Sequence, residues 1–170
     1  MIATIRPARA ADALTIATLI RELAAYERLE DQARATADDL TRYLFGDRPS
    51  AEVLIAEVEG SPVGFALFFP TFSTFRGQPG MYLEDLFVRP EYRGQGIGKA
   101  LLAGVAKAVV ARGSGRLEWA VLDWNAPSIA FYRSRGAVPM DEWTVYRVAD
   151  DALARLAESG RSGESMDKRV

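Results

Sequence analysis

Between Leu83 and Leu102 the chain gathers residue types from which a site that holds phosphate and moves protons can be built. Glu84 and Asp85 stand side by side in the otherwise apolar run Leu83-Glu84-Asp85-Leu86-Phe87-Val88. Arg89-Pro90-Glu91-Tyr92 then turns the chain, and Arg93-Gly94-Gln95-Gly96-Ile97-Gly98-Lys99 leads into an Ala/Leu/Lys-rich stretch. Glycine lacks a Cβ, so a ligand can approach its backbone closely. Amides at a helix start are unpaired donors at the positive end of the helix dipole. The segment therefore predicts a strand, a turn and a pyrophosphate-binding loop at a helix N-terminus. Further on, Tyr132 follows Asn125-Ala126-Pro127-Ser128 and offers a phenol as a proton donor.

The 170 residues include no cysteine and no histidine. Disulfides, thiolate nucleophiles, Cys- or His-ligated metals and a Ser-His-Asp triad are thereby excluded, and no metal site is expected. A general base must be Glu, Asp, Tyr, Lys or a water chain. Strand side chains alternate in face, so only one of Glu84 and Asp85 can line a cleft; strand position favours Glu84. The plainer alternative is a solvated strand residue. The 21 basic and 23 acidic residues leave a net charge of −2 without a basic block, which argues against nucleic acid. Neither a signal peptide nor a membrane-spanning apolar run is evident, so a cytoplasmic protein is expected.

These residues need a scaffold. Ala3 to Arg6 reads as a strand ended by Pro7. A helix is expected from Asp12 to about Glu27 with Leu14, Ala17, Leu19, Ile20 and Leu23 as its apolar stripe. A second starts at Thr36, carries Leu40, Tyr43 and Leu44, and stops near Gly46. Glu52 to Val58 and Val63 to Phe69 form a hairpin around Glu59-Gly60-Ser61-Pro62. A loop with aromatics covers Pro70 to Gly80, and Met81 to Val88 is a third strand in this region. Then follow a helix from Ile97 to Val110, a strand from Arg116 to Leu122, and a short helix from Pro127 to Arg133. A strand from Glu142 to Val148 and a helix from Asp150 to Glu158 complete the order. The fold class is α/β (α+β): a mixed, mostly antiparallel twisted sheet with helices on both faces.

Three phosphate loops compete for the glycines. A P-loop needs Gly-x-x-x-x-Gly-Lys-Ser/Thr, but Arg93 occupies the first glycine and Ala100 follows Lys99. A dinucleotide fingerprint started at Gly94 meets Lys99 at its third glycine, although Glu118 lies at a tolerable distance for a ribose-binding acid. The third pattern, Arg93-x-x-Gly96-x-Gly98 after a strand, resembles the acetyl-coenzyme A loop of the GCN5-related N-acetyltransferases (GNAT superfamily). Glu22-Leu23-Ala24-Ala25-Tyr26-Glu27, Met81 to Val88 and Trp124 to Tyr132 are similar to the diamine (spermidine/spermine) and thialysine branch.

The resemblance implies one N-acetyltransferase domain over residues 1–158 and acetyl-coenzyme A as cosubstrate; the polar, charged, glycine-containing tail over 159–170 is expected to be disordered. It implies acetyl transfer directly to a primary amine of a small molecule, by a homodimer. Leu86, Phe87 and Val88 would meet the pantetheine arm, with the Val88 N–H polarising the acetyl carbonyl. Arg93, Gly94, Gln95, Gly96, Ile97, Gly98 and Lys99 would wrap the pyrophosphate, and Asn125, Pro127 and Ser128 would contact the coenzyme. Tyr132 would be the general acid and Glu84 the base, through water. Tyr26, Glu27 and Glu84 would meet the amine. Considered alone, Tyr132 is an ordinary core aromatic and Tyr26-Glu27 a partly exposed helix end; Phe68, Phe69, Phe72 and Phe75 read as packing, an amine channel or a dimer surface. A non-catalytic acyl-coenzyme A sensor and a protein N-acetyltransferase are the alternative readings.

Overall fold

Thr36 accepts a hydrogen bond from the Asp39 amide (3.1 Å), and the Asp39 carboxylate accepts from the Thr36 N–H (3.0 Å). This reciprocal cap starts one of the helices that pack on the sheet. The computed structural model describes residues 3–160. Its strands are β1 (Thr4–Pro7), β2 (Glu52–Val58), β3 (Ser61–Ser73), β4 (Gln78–Val88) and β5 (Leu117–Glu118). The helices are α1 (Ala13–Glu27), α2 (Ala37–Phe45), α3 (Ile97–Ala111), α4 (Ala126–Arg133) and α5 (Asp150–Ser159). The chain divides into two compact units between Val121 and Leu122.

In the first unit the sheet runs in the order β1-β2-β3-β4-β5. β1 to β4 pair antiparallel, and β5 joins β4 in parallel. α1 and α2 cover one face, where Ile16, Leu19, Leu23, Leu40 and Leu44 pack with Val53, Ile55, Phe65 and Phe87. α3 covers the other. Gly104 lets it approach Leu54 and Ile5 closely: an added Cβ would lie 2.8 Å from Leu54 Cδ1 and 3.5 Å from Ile5 Cγ2.

Several expectations change. In α1 the buried stripe is Ala13, Ile16, Ala17, Leu19, Leu23 and Ala24, while Leu14 is exposed, because Leu14 lies across the helix from the sheet. Tyr43 is likewise exposed. The aromatic segment from Pro70 is not a loop: β3 and β4 stay paired to Ser73↔Gln78. Pro70 is tolerated there because β2 ends at Glu52↔Phe68, leaving no donor needed on that side. Phe68 is buried, Phe69 stacks on Tyr82 with centroids 5.4 Å apart, and Phe72 and Phe75 are exposed near the hairpin tip. β5 is shorter than expected, ending at Tyr82↔Glu118.

The second unit contains α4 and α5 and, among its described residues, no strand. The strand expected over Glu142 to Val148 is absent. A strand needs a neighbour for its amides and carbonyls, and this unit by itself supplies none. Trp143, Val145 and Tyr146 are exposed instead. The tail expected from 159 lies outside the described residues beyond Gly160.

Gly64 sits opposite Val88, where a Cβ would come within 2.5 Å of Phe87 O and 3.2 Å of Val88 Cα. Gly64→Ala should therefore lose about 1–3 kcal/mol of stability in urea unfolding. A midpoint equal to wild type would contradict this close approach.

Candidate active site

β4 carries the first functional feature, a one-residue bulge. Leu67 pairs with Asp85 and Phe68 with Leu83, so Glu84 has no opposite residue. The bulge reverses the direction of every peptide after it. Before it, the Met81 N–H points to the β5 side and donates to Arg116 O (3.0 Å). After it, the Arg89 N–H points the other way and donates to Val63 O on β3 (2.9 Å). Both residues are odd-numbered, and an unbroken strand would send both to the same side. Alternation from Arg89 back to the bulge therefore turns the peptides of Leu86 and Val88 away from β3, where β5 no longer pairs.

The same phase sets the carboxylates. Asp85 falls on the Phe87 face, the one packed against α1. There Glu27 closes the helix, half-buried, its carboxyl pushed up by burial. Asp85 is raised to about 7, first by burial and then by the nearby charges of Glu84 and Glu27. Glu84, the bulged residue, is exposed. Among the described residues none of the three carboxylates has a salt-bridge partner. Simple alternation selected Glu84 and missed Asp85; the bulge that brings Asp85 into play has no local sequence signal.

Beyond β4, a short 3-10 turn, Pro90–Tyr92, leads to the glycines. Gly94 and Gly96 adopt φ of 76° and 82°, a region that favours glycine. A Cβ added to either would meet no heavy atom within 4 Å, so open space lies beside the loop. Gly96 starts α3 without a side-chain cap, and the first helical bond is Ala100 N–H to Gly96 O (2.9 Å). The amides of Ile97, Gly98 and Lys99 precede that bond and have no partner within the helix. Gln95 and Lys99 are exposed and Ile97 is buried.

Arg93 does not extend into the loop. Its Nε donates to Val88 O (2.8 Å), and its guanidinium lies 4.3 Å from the Tyr26 ring centroid and 5.7 Å from that of Phe87. Arg89 makes two bonds to Glu22, both 2.8 Å, and one to Pro62 O (3.0 Å). Sequence reasoning missed this pair, which spans 67 residues. A cleft of about 530 Å³ is lined by Glu22, Ala25, Tyr26, Phe87, Arg89, Pro90 and Glu91.

The remaining expected residues belong to the second unit. Asn125 is buried and caps α4, its Oδ1 accepting from the Ser128 N–H (3.3 Å). Pro127 lies in the first turn, where its missing N–H costs nothing. Tyr132 is half-buried beside Phe131, ring centroids 5.3 Å apart.

A family model described as the acetyltransferase (GNAT) family matches residues 18–137. The chain belongs to this family. It is an N-acetyltransferase, and the GNAT cosubstrate is acetyl-coenzyme A. A Bos taurus protein named thialysine N-epsilon-acetyltransferase is 38% identical over 164 residues, covering 90% of this chain and 96% of that protein. An Arabidopsis thaliana L-ornithine N5-acetyltransferase is 34% identical and covers 92% and 88%. Among solved structures, an integron cassette protein of V. cholerae superposes with a TM-score of 0.78 at 29% identity, covering 93% of this chain and 99% of that one. Within the GNAT fold, the positive-φ glycines, the open space beside them and the uncapped α3 amides fit a diphosphate. The outward-turned peptides of Leu86 and Val88 fit an extended arm bearing amides. Among the described residues no helix is long and apolar enough to cross a membrane.

Asp85 also makes stability depend on pH. Its folded value, about 7, lies above the ordinary carboxylate value of 3.8, so between these the folded protein holds a proton that the unfolded chain releases. That contribution is fully present below 3.8 and is lost as pH rises through about 7. Asp85→Asn should therefore be more stable than wild type at pH 8, by on the order of 2–4 kcal/mol, with the gain vanishing toward pH 4. Thermal melts across this range check it; a pH-independent difference would remove the effect.

Proposed function

We propose that this GNAT enzyme acetylates a primary amine on a small cationic molecule, a diamine or a basic amino acid of the thialysine or ornithine type. The observation that carries the reading is the unpaired carboxylate group of Glu27, Glu84 and Asp85 at the α1 end of β4. Such a group attracts an ammonium and can also take its proton. The names of the similar bovine and Arabidopsis proteins support the same substrate class.

When bound, acetyl-coenzyme A supplies a thioester whose acyl carbon the amine attacks. Gly94 to Lys99 hold the diphosphate through backbone amides, Arg93 packs beside this loop on Tyr26 and Phe87, and Leu86, Phe87 and Val88 line the pantetheine arm. The Val88 N–H stabilises negative charge on the acetyl oxygen. Glu27 and Tyr26 orient the ammonium. Glu84 removes its proton through water, with Asp85 beside it as the group that titrates near neutrality. The Tyr132 hydroxyl returns a proton to the departing sulfur; Asn125, Pro127 and Ser128 shape the coenzyme contact from α4. Transfer is direct, since the chain has no cysteine to carry the acetyl group. The family match over 18–137 supports a single N-acetyltransferase domain over residues 1–158. It extends to a cytoplasmic homodimer, for which the exposed Trp143, Val145 and Tyr146 offer an apolar surface; sedimentation at the protomer mass would count against the dimer.

The test is a panel of thialysine, ornithine, spermidine, free neutral amino acids and a peptide with acetyl-coenzyme A, read by thiol release. Basic small amines should react, and turnover on the peptide alone would replace this reading with a protein acetyltransferase. Tyr132→Phe should keep coenzyme affinity and lose about 100-fold or more in kcat. Glu84→Gln removes a charge that raises Asp85, so the acid limb of the kcat/KM profile should move to lower pH. An unmoved limb would point to a different base.

A further inference from the structure

Two arginines flank the Pro90–Tyr92 turn, and both reach one face of α1. Glu22 and Tyr26, their partners, are one helical turn apart. Arg89 and Glu22 form a paired ion bridge. The Arg93 contacts are of another kind: a ring face on α1, a ring on β4, and the carbonyl of the last β4 residue. A planar guanidinium can stack on a ring and donate within its plane at once, which a lysine ammonium cannot.

Three functional parts meet at this side chain. Tyr26 precedes Glu27, at the helix end proposed to meet the amine. Val88 carries an outward-turned peptide. Arg93 itself immediately precedes Gly94, the first glycine of the loop. These contacts reach the last turn of α1. It closes with Arg28 in the left-handed region (φ 61°), a conformation that costs energy in a non-glycine residue. Its closing bonds are Leu29 N–H to Ala24 O (2.8 Å) and Arg28 N–H to Ala25 O (3.2 Å). A helix end with a built-in cost orders or frays according to what packs on it.

We propose that Arg93 is a positioning residue that couples the glycine loop to the C-terminal turn of α1, so that coenzyme bound at the loop also orders the helix end that meets the amine. The identity of the two ligands rests on the function proposed above; the coupling needs only the coenzyme. Loop ordering fixes Arg93, Arg93 fixes Tyr26 and the Val88 carbonyl, and Tyr26 fixes the turn that ends in Glu27. Coupling of this kind is reciprocal, so the amine should in turn tighten coenzyme binding.

Hydrogen exchange with and without saturating coenzyme A tests this. In the wild type, exchange should slow at amides 94–100 and, by about tenfold, at amides 26–29. In Arg93→Met the loop protection should remain while protection at 26–29 is lost. Tyr26→Leu, which removes the stacking ring and leaves the arginine in place, should give the same loss if the first variant folds poorly. Arg89→Met, which breaks the neighbouring bridge, should retain both. Protection of 26–29 that is absent in the wild type, that persists in Arg93→Met, or that disappears equally in Arg89→Met overturns the proposal. No protection at 94–100 in the wild type sinks the coenzyme site and the coupling with it, whereas failure of the amine panel alone would leave the coupling standing.

Discussion

A single unpaired residue in β4 sets the direction of everything after it. Glu84 has no partner on β3, so the strand changes phase at that point. Had the strand run on without interruption, the peptides of Leu86 and Val88 would have turned inward to β3, and Asp85 would have faced α3 instead of Glu27. The bulge thus produces two things together: backbone groups of Leu86 and Val88 turned away from β3 on one side, and a carboxylate against α1 on the other. β5 ceases to pair at Tyr82↔Glu118, two residues before the bulge.

The carboxylate arrangement opposes folding and serves chemistry. Three acidic groups close together, one largely buried, repel one another and lose hydration. For the proposed amine site that cost has a use: a carboxyl raised to about 7 is suited to accept a proton near neutrality. Elsewhere in the first unit several charges are paired. Arg6 bridges Asp12 and Glu57, Arg112 meets Glu52, and Arg89 meets Glu22.

The loop and the helix it starts divide the labour of holding an anion. Glycines give the backbone its left-handed turns, and the uncapped start of α3 gives donors. The arginine of the same motif is exposed, yet it lies over the Tyr26 ring and donates to Val88 O. A cation beside a phosphate loop is readily assumed to bind phosphate. Here its geometry points it away from the loop glycines, toward Tyr26 and Val88 O.

Local chemistry was legible in the sequence. The Thr36 cap, the stop at Gly46, the hairpin through Glu59-Gly60 and the glycine loop each depend on residues within a few positions of one another, and each formed where those residues predicted. The lack of histidine and cysteine also narrowed the chemistry before any fold was known. Which of Glu84 and Asp85 faces α1, how far β3 runs past Pro70, where Arg93 points, and whether Glu142 to Val148 pairs as a strand were decided by tertiary structure alone. Each depends on a partner strand or helix distant in the chain. A bulge is a mismatch between two strands, so it cannot be written in the composition of one; a capped helix or a glycine turn can, because its partners lie within the same few residues.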